Sequence, residues 1–256
     1  MIDLAHIEQR TLATDPFEWA FADGLFAPAD SQALMETFPR DHFKTVRGYD
    51  GEKGYEYEAR ALVDMGADAP AHVESLSPVW RQLALDLLSP AYRQAIARLT
   101  ARDLSALPME VNVFHYGPGA WLGPHVDLKE KILTQIFYFN DSWDEKDGGS
   151  LSILRSAKLT DSVASVMPIV GNSVVLVRSE RSWHTVAPVA KGCRRSRRSL
   201  TVTFYAPGSM STMWPPGDTT PLHNYDETAG SRGAAGFVWP RIQSIARMVS
   251  LSRRGR

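Results

Sequence analysis

Two residues that could ligate a metal lie two positions apart near the middle of the chain, His125 and Asp127. In an extended segment, side chains at i and i+2 point to the same side, so both could bind one metal ion. The spacing alone is weak evidence, because a histidine two residues before a glutamate also occurs at His6 and at His72. Only a third ligand elsewhere in the chain would single out His125 and Asp127 as a site.

His184 is the candidate for that third ligand, since it lies at the start of a predicted strand far downstream of His125. A lone histidine on a strand is more often a structural group than a ligand. Two histidines and one carboxylate on one face of a metal, however, leave positions open for other ligands, an arrangement typical of non-haem Fe(II) and oxygen chemistry. We therefore predict an iron site formed by His125, Asp127 and His184.

An iron of this kind needs a source of electrons, and a 2-oxo acid that chelates the metal is one. The distant carboxylate of such an acid would need a cationic partner inside a mostly apolar barrel, and the planar guanidinium of arginine suits a carboxylate. The segment 197–203 supplies one at Arg197. With a period of two residues, Arg197, Ser199 and Thr201 lie on one face of the predicted strand.

The elements that must position these residues are predicted to be strands. After Pro108 the hydrophobic period changes from 3.6 to 2, in short runs rich in β-branched and aromatic residues between Gly, Pro, Asn and Asp turns. Six or more such strands predict an antiparallel sandwich or barrel. The predicted strands are 110–116, 132–139, 151–154, 173–178, 183–186 and 199–205.

The residues on either side of this core are predicted to be more helical. Ser77-Pro78 and Ser89-Pro90 each place a capping hydroxyl before a proline, which is typical of a helix start. A strand within 17–26 and a short helix from Pro28, capped by Asp30 or Ser31, precede them. The segment 47–60 shows no clean period and is predicted to be a loop, and 208–239 is irregular before a closing helix at 242–249. We expect one domain, with 1–107 as the N-terminal support, 108–207 as the core and 208–256 as the C-terminal loop and helix.

Composition excludes several classes of protein. A formal net charge of -1 over 256 residues argues against a protein that works by neutralising nucleic-acid phosphates, although the arginines at 253, 254 and 256 form a basic C-terminus. The single cysteine, Cys193, excludes an intramolecular disulfide and a cysteine-based zinc site, and favours the cytoplasm. No signal pattern or apolar run long enough for a membrane span is present, so we expect no membrane partner. The oligomeric state is not indicated.

Several of these segments together resemble the Fe(II)/2-oxoglutarate-dependent oxygenase superfamily, in its prolyl-4-hydroxylase-like branch. The resemblance covers about 110–207 and includes the run from Tyr116 to Asp127 and the strand motif that ends in Tyr138-Phe139-Asn140. It also includes Gly148-Gly149-Ser150-Leu151, Gly171-Asn172-Ser173, His184-Thr185-Val186 and 197–205. It implies a mainly β fold with flanking helices (α+β) around a double-stranded β-helix, the cupin-like jelly roll.

The resemblance assigns roles residue by residue. His125, Asp127 and His184 match the iron triad of the family. Arg197 matches the residue that binds the far carboxylate of 2-oxoglutarate, with Ser199 two positions on. Three further residues match the co-substrate pocket or its edge: Tyr138, Tyr116 and Asn112.

One departure from the family pattern concerns the basic residue. It usually follows the distal histidine by about nine to eleven positions, which would point to Arg194 or Arg195. We favour Arg197 because its strand context, Arg-x-Ser-Leu-Thr-Val, fits the family better, and we interpret 193–196 as a short insertion. The choice among the three arginines stays open at the level of sequence.

The activity implied is that of a 2-oxoglutarate-dependent non-haem iron dioxygenase that uses Fe(II), 2-oxoglutarate and O2, with ascorbate as a possible reductant. Asp127 favours hydroxylation over halogenation, because halogenating members have a small residue at this position. The product set is then a hydroxylated substrate with succinate and CO2. Candidates for lining a substrate pocket are 129–131, 47–60 and 208–239.

The chain carries no added recognition domain, so we expect a small polar substrate such as an amino acid or natural-product intermediate. The alternatives are a 2-oxoglutarate-dependent hydroxylase of a protein residue, a metal-dependent dioxygenase of β-barrel fold that uses no 2-oxoglutarate, and a ligand-binding jelly roll without catalysis. Nucleic-acid contact through the basic C-terminus is a further alternative, with salt-dependent binding as its signature.

Overall fold

Strands dominate the part of the chain that the computed structural model describes, residues 1–49 and 54–225. The strands are β1 (Trp19–Ala22), β2 (Lys44–Tyr49), β3 (Gly54–Val63), β4 (Met109–Tyr116), β5 (Trp121–His125), β6 (Lys131–Tyr138), β7 (Leu151–Leu154), β8 (Ser162–Val166), β9 (Ser173–Val177), β10 (His184–Val186) and β11 (Arg197–Tyr205). The α-helices are α1 (Leu4–Glu8), α2 (Pro28–Glu36), α3 (Pro78–Leu88) and α4 (Pro90–Thr100).

The strands form one curled antiparallel sheet. Its order is β1-β9-β6-β11-β4-β3-β5-β10-β7-β8, with β2 paired to β3 alone. The strand β3 pairs with β4 along one part of its length and with β5 at its start, so it joins the two halves of the roll. This mainly β fold with flanking helices confirms the predicted jelly-roll core.

Alternation along the strands builds a core on each face of the sheet. On β6, Leu133 and Phe137 belong to one cluster together with residues of α3 and α4, whereas Ile136 and Tyr138 belong to a second cluster inside the roll. The helices therefore cover the outer face of the sheet, while the inner face encloses the space where a site can form.

Helices α3 and α4 begin as predicted. The Ser77 hydroxyl accepts from the Trp80 backbone N–H at 3.4 Å, and the Ser89 hydroxyl accepts from the Tyr92 N–H at 3.2 Å. Each helix has proline at its first position. The cap predicted for α2 is wrong, because Ala27 occupies the N-cap without a side-chain hydrogen bond and Pro28 starts the helix. The fixed φ of proline suits the first helical position, which places Asp30 in the first turn rather than at the cap.

The predicted loop at 47–60 is wrong for its described residues, since β2 and β3 form an antiparallel pair there. Val46 faces Tyr57 across the pair and Gly48 faces Tyr55. Glycines and charged residues on this edge of the sheet hid the two-residue period in the sequence. Strands β5 and β8 also fall in segments that were not predicted as strands.

The chain after β11 runs back across the sheet without regular secondary structure as far as residue 225. Phe43 and His223 form an isolated antiparallel bridge that holds this segment near β2. The predicted closing helix at 242–249 lies outside the described residues. Of the helices in the described part, none is both long and apolar enough to cross a membrane.

Candidate metal and co-substrate site

The predicted metal ligands lie together on the inner face of the roll. His125 ends β5 and His184 begins β10, and the two residues are direct partners across these antiparallel strands. Their ring centroids are 4.2 Å apart, and Nε2 of His125 lies 3.8 Å from Oδ1 of Asp127. One ligand atom from each of the three residues lies within 4.8 Å of the others. This spacing is close enough for one ion to bind all three.

The orientation of both imidazoles is fixed by the backbone. Nδ1 of His125 lies 2.9 Å from the carbonyl oxygen of Gly123, and Nδ1 of His184 lies 2.9 Å from that of Ser182. A carbonyl oxygen can only accept, so each Nδ1 carries the proton and donates it. Each Nε2 then keeps a lone pair that can coordinate a metal.

Asp127 is held at both of its carboxylate oxygens. Lys131 donates to Oδ1 at 2.8 Å and the Thr134 hydroxyl donates to Oδ2 at 3.1 Å. Burial by itself would raise the pKa of Asp127, but the charge of Lys131, joined by those of His184 and His125 whenever these imidazoles are protonated, outweighs it and holds that pKa well below its ordinary value. The group is therefore a carboxylate at neutral pH, which is the form that ligates a metal.

A second group of possible ligands lies elsewhere, formed by His42, His72 and Glu74. Here the two imidazoles stack, with centroids 4.0 Å apart and planes at 20°. Nearly parallel rings direct their lone pairs side by side and not toward one point, and Glu74 is exposed. Their arrangement is that of a packed histidine pair, which distinguishes it from the converging triad.

Arg197 is buried inside the roll at the start of β11 and is only 2% exposed. Its Nε donates to the Gly149 carbonyl oxygen at 2.8 Å and its Nη1 donates to the Ser199 hydroxyl at 2.8 Å. The guanidinium lies over the rings of Tyr116 and Tyr138, at 4.8 and 5.2 Å from their centroids. Within residues 1–49 and 54–225 no carboxylate lies within salt-bridge distance of it, so this cation is buried without a counter-ion.

Tyr138 supplies a donor at the same place. Its hydroxyl is buried and has no hydrogen-bond partner of normal geometry in the described part of the chain, although the Arg197 side chain lies close enough to lower its pKa. Burial raises the pKa of Tyr138 to about 12 against the opposing effect of Arg197, so the phenol keeps its proton at neutral pH. A buried cation beside an unsatisfied hydroxyl is a polar pair that a ligand carboxylate would complete. The residues present therefore fit the far end of 2-oxoglutarate.

The other two arginines considered from the sequence lie away from this cavity. Arg194 is exposed, and Arg195 donates to the Ser142 carbonyl oxygen at 2.8 Å and to Asp147 at 3.4 Å. The residues before Arg197 form a turn in which the Cys193 N–H donates to the Ala190 carbonyl at 2.9 Å. Only Arg197 of the three lines the cavity with the triad.

Tyr116 and Asn112 lie on the same face of β4 but in different settings. Tyr116 lines the cavity and stacks on Tyr57 with centroids 5.3 Å apart. Asn112 is also buried but does not line the cavity. Its side-chain oxygen accepts a hydrogen bond from the Trp214 indole N–H at 2.7 Å. The structure thus brings Tyr116 to the candidate site and places Asn112 in the contact that holds the C-terminal segment.

The cavity that contains these groups has a volume of about 660 Å³. Its mouth is bounded by β2 on one side and by residues 212–220 on the other. Lys44 connects the two sides, since its ammonium donates to Asp218 and to the Met213 carbonyl oxygen and lies 4.2 Å from the Trp214 ring centroid. Sequence reasoning missed this contact because its partners are far apart in the chain.

Of the residues at 129–131 that were considered as pocket lining, only Lys131 lines the cavity. The side chains of Lys129 and Glu130 are 83% and 43% exposed. The sequence held one signal for this placement of Lys131. It lies four residues after Asp127, and a single turn between the two can bring its side chain back to that carboxylate.

Comparison with known proteins shows which family this part of the chain resembles. Residues 111–205 match the family model described as the 2OG-Fe(II) oxygenase superfamily. A search among curated proteins gave no match.

Solved structures share the fold at low sequence identity. A prolyl-4-hydroxylase from Pseudomonas putida is 22% identical with a TM-score of 0.51, over 80% of this chain and 99% of that one. A prolyl 4-hydroxylase from Phytophthora capsici is 19% identical with a TM-score of 0.54, over 83% and 68%. A prolyl hydroxylase from Trichoplax adhaerens, in complex with a hypoxia inducible factor peptide fragment, is 16% identical with a TM-score of 0.50, over 73% and 83%.

Residues 111–205 of the chain are similar to the 2OG-Fe(II) oxygenase superfamily, and the fold is similar to that of prolyl 4-hydroxylases. The class of activity is that of a 2-oxoglutarate-dependent non-haem iron dioxygenase. The family implies Fe(II), 2-oxoglutarate and O2, and the triad of His125, Asp127 and His184 suits the metal.

Proposed function

We propose that this dioxygenase hydroxylates an unactivated C–H bond of a small polar substrate, such as an amino acid or a natural-product intermediate. The observation that carries the co-substrate assignment is the buried Arg197, for which residues 1–49 and 54–225 provide no counter-ion. It lies next to the Tyr138 hydroxyl, which lacks a partner of normal geometry among the same residues, in the cavity that also holds the triad. A metal-dependent barrel that used no 2-oxoglutarate would have no use for this pair.

The protein groups have separate tasks in this proposal. His125, Asp127 and His184 hold Fe(II), while Arg197, Ser199 and Tyr138 bind the far carboxylate of 2-oxoglutarate. When bound, iron and 2-oxoglutarate supply the oxidising chemistry with O2, and succinate and CO2 are released. Tyr116 covers the co-substrate end with its ring and, together with the apolar inner face, keeps water from the reacting atoms.

The form of the cavity mouth supports a small substrate. The contact of Lys44 with Asp218 and Met213 joins β2 to the C-terminal segment above the cavity. An extended peptide lying across the mouth would meet this contact, whereas a small molecule can fit beneath it. The volume of about 660 Å³ is within the range of small-molecule pockets.

A protein residue as substrate is the second candidate. It is favoured by the likeness in fold to prolyl hydroxylases, one of which was solved with a peptide fragment. Peptide hydroxylation would require the segment around Asp218 to move away from β2. The two candidates therefore differ in whether the Lys44–Asp218 contact must break during turnover.

Succinate formation tests the proposed function. Purified protein is incubated with Fe(II), 2-oxoglutarate and O2, with ascorbate as the proposed external reductant, and screened against amino acids, other metabolites and proline-containing peptides. We expect succinate formation that requires Fe(II) and O2 and is stimulated by a small polar molecule. Mass spectrometry should then show a hydroxylated product that is heavier than the substrate by one oxygen atom, about 16 Da. Stimulation by peptides alone would favour the second candidate, and failure to bind 2-oxoglutarate would exclude both.

A further inference from the structure

The cavity has a cation at each end. Along β11 the cavity-facing side chains run from Arg197 through Ser199 and Thr201 to Thr203. These six steps of a strand span about 20 Å. Lys131, whose backbone partner is Tyr205 at the end of β11, lines the opposite end of the cavity from Arg197. The triad residue Asp127 lies at the Lys131 end.

Lys131 has more N–H donors than the described residues accept from. Its ammonium carries three N–H donors. Oδ1 of Asp127, at 2.8 Å, is the one hydrogen-bond partner that the described residues provide for it. Its side chain is 21% exposed and borders the cavity, next to the hydroxyls of Thr134 and Thr203, which lie 3.5 Å from each other. The remaining donors can therefore reach a ligand inside the cavity.

The charges around the cavity leave an excess of positive charge once the co-substrate and metal are bound. The pair Lys44 and Asp218 is balanced, and a divalent metal is balanced by the two carboxylates of 2-oxoglutarate. Arg197 and Lys131 are cations against the single carboxylate of Asp127, so one positive charge is uncompensated. Arg47 adds another at the exposed rim, where solvent screens it. A partly buried excess charge favours a substrate that brings an anion.

We propose that Lys131 binds a carboxylate of the primary substrate, and that the substrate is a small organic acid held with its reacting carbon beside the triad. This inference rests on the proposed function, because it concerns the second ligand of the same cavity. Arg197 then receives the acid that is consumed as co-substrate, and Lys131 receives the acid that is hydroxylated. Lys44 is not equivalent to Lys131, since its ammonium already donates hydrogen bonds to Asp218 and to the Met213 carbonyl oxygen.

A purely structural role for Lys131 would be to neutralise Asp127. The two roles predict different behaviour toward ligands of different charge. If Lys131 only neutralises Asp127, its removal changes metal binding and affects acids and uncharged analogues alike. If it binds a substrate carboxylate, its removal weakens the binding of acids selectively.

Binding to a redox-inactive form of the enzyme separates these outcomes without turnover. Zn(II)-substituted protein is first titrated with 2-oxoglutarate, and the saturated complex is then titrated by calorimetry with amino acids and monocarboxylic acids and with their primary amides. We expect at least one acid to bind, with its amide about tenfold weaker or more, because a hydrogen bond to a charged group contributes about 1.5–3 kcal/mol.

The variants are Lys131→Met, Lys131→Arg and the exposed neighbour Lys129→Met as a matched control. Lys131→Met should weaken the acid to the level of its amide while 2-oxoglutarate binding stays within about twofold, and Lys131→Arg should restore part of the difference. Equal binding of acid and amide to the unmodified protein, no binding of any acid, or an equal loss for both in Lys131→Met would overturn the proposal. Failure of the first titration, with 2-oxoglutarate, would instead overturn the proposed function.

Discussion

His125 and His184 are direct partners across the antiparallel strands β5 and β10, so the backbone pairing sets the distance between the two imidazoles. The carbonyl oxygens of Gly123 and Ser182, each two residues before its histidine, then fix the rings in the same way. The strand pairing and these two carbonyl contacts therefore bring the histidines together and orient them. A preorganised pair of this kind gives up less entropy on metal binding than ligands on mobile loops.

Removal of one triad residue should abolish metal binding without unfolding the protein. We expect His184→Ala to retain far less than one equivalent of Fe(II) or Co(II), measured by metal analysis after dialysis, with an unchanged far-UV circular dichroism spectrum. Two remaining ligands bind a divalent ion much more weakly than three.

The matched control for this variant is His72→Ala, which removes a histidine of the stacked pair with His42. It should keep the same metal content as the unmodified protein. If His72→Ala lost the metal and His184→Ala kept it, the assignment of the iron site would be wrong.

Replacement of Arg197 should affect 2-oxoglutarate more than any other ligand. We expect Arg197→Ala to weaken the binding of 2-oxoglutarate by roughly ten- to a hundredfold, because charged hydrogen bonds contribute about 1.5–3 kcal/mol each. The measurement is a titration of the metal-loaded protein with 2-oxoglutarate.

Arg195→Ala is the control, since Arg195 bonds to Ser142 and Asp147 outside the cavity. It should leave the affinity for 2-oxoglutarate within about twofold of the original, as expected for a surface contact. A large loss in Arg195→Ala with none in Arg197→Ala would show that the register chosen for the basic residue is incorrect.

Removal of the buried Tyr138 hydroxyl should affect protein stability and 2-oxoglutarate binding in different ways. Tyr138→Phe removes a buried hydroxyl that has no hydrogen-bond partner of normal geometry among the described residues, so the ligand-free protein should keep its free energy of unfolding or gain up to about 1 kcal/mol. The same change should weaken 2-oxoglutarate by about three- to tenfold, as for one hydrogen bond. Urea unfolding and ligand titration measure the two effects. A clear destabilisation of the ligand-free protein would mean that the hydroxyl has a structural partner.

The core strands and the triad could be predicted because their signals are local or repeated. β4, β6 and β11 have the two-residue period of strands with a buried side, and their boundaries were predicted to within two residues. His125 and Asp127 are only two positions apart in the sequence, and His184 was the one later histidine in a strand context that matched the family. The structure placed these three residues together as the prediction required.

The parts that could not be predicted depend on pairing between distant segments. The period of β2 and β3 is masked by glycines and by charged residues at the sheet edge, such as Arg47 and Glu56, which face each other across the pair. Asn112 was placed on the correct strand face, but its contact with Trp214 could not be foreseen. Nothing in the local sequence of Lys44 indicates Asp218, because only the folded path of the C-terminal segment brings them together.

The contact between Lys44 and Asp218 should make the C-terminal segment sensitive to acid. The hydrogen bond from Lys44, with those from Thr220, holds the pKa of Asp218 below its ordinary value. A carboxyl whose pKa is lower in the folded state stabilises that state at pH values above its unfolded pKa of about 3.9, and the effect is lost as the pH falls through the folded value. At pH 7 we therefore expect Asp218→Asn and Lys44→Met to increase hydrogen exchange at residues 211–223, with little change in the helices α3 and α4. As the pH falls below about 3.9 the difference between Asp218→Asn and the unmodified protein should begin to shrink, and it should disappear only below the lowered pKa of Asp218 in the folded protein, where its carboxyl is protonated and neutral like the asparagine amide. A difference that persists unchanged at low pH would show that the charge of Asp218 does not hold this segment in place.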